Sequence, residues 1–138
     1  MSEQDNVDVV RKAYEAFGRG DINGLLDQLD PDVQWRTPGP ADLPTAGERR
    51  GHGAVQEFFQ RLSESLEIQR FEPKQFIAQG DMVMVIGDDT SRIKATGTMV
   101  EFRFVHAFTV RNGTVVAFEE FADVSPMVSA VRGEQVRT

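Results

Sequence analysis

The chain has 138 residues, 40% of them hydrophobic and none cysteine, and 15 basic against 22 acidic side chains leave a net charge of −7. That is one domain, residues 1–138, with enough apolar material for a core; it excludes disulfides, thiolate metal sites and a cysteine nucleophile. The acidic balance argues against nucleic acid or an anionic membrane surface as partner, since both need a cationic footprint.

In chain order, residues 5–18 place Val7, Val10, Tyr14 and Phe17 at helical spacing, and Gly18 and Gly20 end the helix. Asp21 caps a short second helix with Leu25, Leu26 and Leu29 on its buried edge, and Pro31 stops it. Residues 32–36 read as a short strand, and residues 37–53 as loop, on the weight of proline and glycine. Residues 54–66 carry Val55, Phe58, Phe59, Leu62 and Leu66 as one apolar stripe, which predicts a third helix. From residue 68 the pattern turns to strands. Residues 68–79 form one strand in which Pro73 implies an edge or a bulge. The run MVMVIG is a buried strand, and residues 90–97 form a polar turn region. Pro126 closes the sheet. Residues 1–4 and 132–138 are expected to fray.

No run approaches the roughly 20 apolar residues of a membrane helix. The start MSEQDNVDVV lacks a signal peptide's basic and apolar segments, so a cytoplasmic protein is expected.

The stretch TMVEFRFVHAFTVRNGTVVAFEEFAD reads as a long hairpin reversing at Asn112-Gly113, both tolerant of positive φ. His106 shares a strand face with Phe102, Phe104 and Phe108. Two registers are open. A two-residue turn sets His106 opposite Glu119, on a face with Phe121 and Asp123; a three-residue turn sets it opposite Phe118 with Glu120 diagonal. An imidazole titrates near neutral pH and can move a proton; a core histidine hydrogen-bonded to a carboxylate is the plainer alternative. Asp123 is either a pocket acid or a turn cap. Trp35, the only tryptophan, and Tyr14, the only tyrosine, are either core or ligand-facing groups that offer an N–H and a hydroxyl. Phe59 has the place to roof a pocket. His52, in Arg-Arg-Gly-His-Gly, has no metal-ligand spacing with His106, and no dinucleotide or P-loop motif occurs, so neither a metal nor a cofactor is expected. Gly51, Gly53 and the adjoining arginines could cradle a phosphate at the helix start.

The strings YEAFGRGDINGLL, LDPDVQW, GHGAVQEFFQRL and VHAFTVRNGTVVAFEEFAD, in this order, resemble the nuclear transport factor 2-like superfamily, particularly its SnoaL-like branch, over about residues 7–125. The resemblance implies an α+β fold: a cone-shaped, curved antiparallel sheet wrapped around three N-terminal helices, a cystatin-like roll enclosing an apolar pocket. It also implies a homodimer through the outer sheet face. Relatives include ketosteroid isomerases, polyketide cyclases, epoxide hydrolases, dehydratases and non-catalytic binders, so fold narrows function little.

This chain departs from the isomerase pattern, with Ala13 at the tyrosine position and Thr37 at the aspartate base. Arg92, Asp88 and Asp89 lack the epoxide hydrolase arrangement. The SnoaL-like pattern carries over a catalytic pair to His106 and Asp123. Tyr14, Trp35, Phe59, Phe104, Glu119 and Phe121 are then the candidate ligand contacts. The expected function is cofactor-free acid/base chemistry on a hydrophobic carbonyl compound, by cyclisation, isomerisation or dehydration. The alternative is a binding or dimerisation domain.

Overall fold

The structure, a computed structural model, describes residues 2–133. Its order is α1 (Glu3–Gly18), α2 (Ile22–Leu26), β1 (Leu29–Thr37), β2 (Gly47–Arg50), α3 (Gly51–Ser65), β3 (Leu66–Gln79), β4 (Met82–Ile93), β5 (Met99–Arg111), β6 (Thr114–Ala122) and α4 (Ser125–Val131). The six strands form one curved sheet in the order β2-β1-β6-β5-β4-β3. All neighbours are antiparallel except β1 and β6, which run parallel. The fold is α+β, and α1 lies across β3, β4, β5 and β6 on one face while α3 covers β1.

Local chemistry explains the elements. Ser2 and Asp5 form a reciprocal capping box, so α1 starts at Glu3 instead of fraying. The α1 face toward the sheet carries Val7, Val10 and Ala13, all buried. Strand β4 alternates strictly between buried and half-exposed residues, with Val83, Val85, Asp89, Ser91 and Ile93 turned inward. Pro73 lies in the edge strand β3, next to a bulge between Pro73 and Gln75, where a missing N–H leaves no central ladder bond unmade.

Five readings need correction. The 37–53 loop contains β2, which pairs with β1 from Gln34 to Thr37. Pro31 stands inside β1, at the irregularity between its two contacts with β6, so it interrupts a ladder and does not mark a helix end. Strand β4 runs on to Ile93, because the alternation continues through polar residues that the sheet buries. After the sheet, Ser125-Pro126 begins α4, with proline in the first turn where its missing N–H is harmless. Arg132 caps α4 and makes two bonds of 2.8 Å to Asp42, so the frayed stretch does not begin there. Residues 1 and 134–138 lie outside the described residues.

Candidate proton-transfer site

The hairpin holds the site in a register that neither sequence alternative contained. Asn112 (φ 52°) and Gly113 (φ 80°) make the two-residue turn, and Arg111 pairs with Thr114. Three residues later the ladder slips: Val110 pairs with Val115, but Thr109 pairs with Ala117, so Val116 is an extra residue. The bulge brings Glu120 opposite His106 and turns Glu119 to the other face, where it lies between Ala107 and Arg36.

On the inner face, His106 is buried and both ring nitrogens are engaged. The Tyr14 hydroxyl lies 2.7 Å from Nδ1, and Glu120 Oε2 lies 2.8 Å from Nε2. The side chains of His106 and Glu120 are 7% and 20% exposed, so this contact is shielded from water. Burial, and secondarily the Glu120 charge, push the Tyr14 phenol well above its ordinary pKa, so it is a neutral hydroxyl. An ionised Glu120 can only accept, which places a hydrogen on Nε2 and leaves Nδ1 to accept from Tyr14. A second proton on the ring would reverse the Tyr14 bond and free the phenolic hydrogen for the cavity. The chain Tyr14–His106–Glu120 is thus a line along which one proton's arrival reorients a donor.

An apolar cavity of about 870 Å³, open mouth included, adjoins this chain. Tyr14, His106 and Glu120 line it together with Trp35, Phe59 and Phe118. Small-molecule sites are apolar with a few fixed polar groups, and this lining has that character. Phe104 does not reach the lining. It is fully buried behind His106, stacked on it at 4.1 Å and on Phe71 at 5.0 Å, and so holds the imidazole plane.

Asp123 is not brought to His106. It is exposed, and its Oδ1 accepts from the Ser125 N–H at 3.0 Å and hydroxyl at 2.6 Å, capping the turn into α4 and lowering its pKa. Phe121 is half exposed on the outer face, and Glu119 also faces away from the cavity. His52 gives the Leu29 carbonyl a ring contact of 2.9 Å that ties α3 to β1. Among the described residues no group of His, Asp and Glu is arranged to hold a metal ion.

Two residues have a larger place than the sequence reading gave them. Glu120, there only a diagonal neighbour of His106 in one register, becomes its direct partner through the bulge. Asp89 is a buried carboxyl on the cavity lining, with Phe71 and Phe102 as its cross-strand neighbours. Ser91 donates to its Oδ1 at 2.6 Å. Burial, with a smaller push from Glu120 and against the Ser91 bond, raises its pKa to about 6. Adjacent Asp88 points outward to Lys74 and Arg103, with its pKa lowered by the Lys74 hydrogen bond first. The burial alternation of β4 is the signal that could have separated the two acids.

Solved structures share this fold along its whole length. An NTF2-like protein of Burkholderia xenovorans LB400 is 39% identical, covering 98% of this chain and 99% of that one, with a TM-score of 0.84. An NTF2-like protein of Burkholderia pseudomallei K96243 is 34% identical over 93% of this chain and 96% of that one, TM-score 0.84. TerC, co-crystallised with polyporic acid, is 30% identical over 93% and 98%, also with a TM-score of 0.84. No curated protein matches the chain, and no helix among the described residues is long and apolar enough to cross a membrane. The SnoaL-like domain family matches residues 10–118, and the chain belongs to that family.

Proposed function

We propose that this protein is an acid/base enzyme of the SnoaL type, acting on a flat, hydrophobic carbonyl compound by isomerisation, cyclisation or dehydration. The observation that carries the reading is the Tyr14–His106–Glu120 chain in the wall of an apolar cavity. Glu120, steadied by His106, takes a proton from the carbon beside the carbonyl. The C–H electron pair becomes the new carbon–carbon π bond, and the Tyr14 hydroxyl turns its one hydrogen from His106 Nδ1 to the oxygen that receives the carbonyl pair. Return of the proton at another carbon completes an isomerisation; loss of a β-hydroxyl as water completes a dehydration; attack of the enolate on a second carbonyl closes a ring. His106 is a positioning residue in this scheme, and Asp123 has no part. The co-crystallisation of TerC, 30% identical to this chain, with polyporic acid supports a small-molecule ligand.

A binding domain without turnover is the second reading, favoured by the saturation of both imidazole nitrogens, as in a structural histidine. In either case the exposed Ile77, Met82, Met99 and Phe121 on the outer sheet face support a homodimer.

The experiment is deuterium uptake at the carbons flanking the carbonyl of 2-tetralone, followed by NMR. The native protein is expected to accelerate exchange, and Glu120→Gln to lose about 10²–10⁴-fold of that acceleration while still binding the ketone. Equal exchange rates for the two bound proteins would leave only the binding reading.

A further inference from the structure

Among the described residues, one buried side-chain polar atom has no hydrogen-bond partner: the indole Nε1 of Trp35. Trp35 is 5% exposed and lines the cavity. Its ring cannot swing to find an acceptor. It stacks on Phe118 with centroids 3.9 Å apart and is flanked by Phe58 at 5.7 Å and Phe59 at 5.6 Å. A buried donor left unpaired is penalised by its lost hydration, and Trp35 belongs to the cavity wall, so a ligand in the cavity is the available source of an acceptor. Phe118 touches His106 as well, edge to face at 4.9 Å. One phenyl ring therefore separates the indole from the imidazole.

We propose that Trp35 is a specificity-determining residue whose indole N–H binds a second oxygen of the ligand, so that the site selects flat compounds bearing acceptor oxygens on opposite sides of a six-membered ring, such as quinones and cyclic diketones. This rests on the cavity reading above but not on turnover. One oxygen draws the Tyr14 hydrogen away from His106 Nδ1, and the other meets Trp35. The aromatic walls exclude water from both contacts, which raises the value of each.

The test compares 1,4-naphthoquinone, with two such oxygens, and 1-tetralone, with one, by calorimetry and by the indole ¹H–¹⁵N resonance, of which the chain has a single one because it has a single tryptophan. The native protein is expected to bind the quinone roughly tenfold more tightly than the ketone, the increment of one shielded hydrogen bond. The quinone, but not the ketone, should move the indole resonance downfield. Trp35→Phe keeps an aromatic ring in the stack and should erase the preference, with the quinone losing more affinity than the ketone. The inference is overturned if the quinone binds no better than the ketone, if Trp35→Phe retains the preference, or if bound quinone leaves the resonance in place. Should Trp35→Phe fail to fold, the resonance in the native protein decides alone. His106→Gln separates the two proposals: it should slow proton exchange without removing the quinone preference.

Discussion

Asp89 carries a penalty that the fold tolerates, and the pH dependence of stability exposes it. Its folded pKa of about 6 stands above the ordinary aspartate value of 3.8. Between those values the native state holds the proton that the unfolded chain releases, so the contribution falls as pH rises through that window and stays unfavourable above it. The difference amounts to roughly 3 kcal/mol. Asp89→Asn keeps the shape and the Ser91 bond without an ionisable group. It should match the native protein near pH 3.5 and exceed it by about 2–3 kcal/mol at pH 8 in urea unfolding. An equal difference at both pH values would contradict this. At this scale the sequence disclosed His106, because a lone imidazole alternating with three phenylalanines has one reasonable face. It could not disclose Asp89, since Asp88-Asp89 reads as a solvated acidic pair until the strand's alternation separates them. Asp123 misled for the related reason that an acid at a strand end satisfies a turn as readily as a pocket.

Among the elements, the decisive event is the single extra residue Val116. Turn chemistry was legible in Asn112-Gly113, and the turn has the two-residue form those residues favour. A bulge leaves no comparable composition signal, yet it exchanges Glu119 for Glu120 as the partner of His106. The neighbouring strand shows a second close fit. Gly87 lies opposite Phe104, and a β-carbon there would collide with the Phe104 ring and the Glu72 carbonyl. Gly87→Ala should therefore displace the ring that backs His106. The expected loss is about 1–3 kcal/mol by denaturant unfolding, together with altered imidazole signals in NMR. A variant of native stability and unchanged His106 signals would show that β4 and β5 can separate without harm. The helices were more readable than the strand ends, because α1 and α3 carry uninterrupted apolar stripes. Short α4 and β2 have too few residues for a period to show.

For the molecule as a whole, one sheet serves two purposes. Its inner face builds the cavity, and its outer face exposes Ile77 (54%), Met99 (51%) and Phe121 (50%), the large apolar groups that the proposed homodimer would cover. Sedimentation is expected to report a dimer at micromolar concentration, and Phe121→Glu to shift it toward monomer; a native monomer at that concentration would contradict the proposed assembly. The architecture was legible in the sequence because element order and the four matching strings span nearly the whole chain. The chemistry was not, because it depends on which of three acids in Glu119, Glu120 and Asp123 shares a face with one histidine. The most direct measurement of that chemistry is the ¹⁵N spectrum of the His106 ring, titrated with and without 2-tetralone. A hydrogen held on Nε2, an accepting Nδ1, and a shift of both signals when the ketone binds are expected. A bound ketone that leaves the imidazole signals and their pH response unchanged would contradict this.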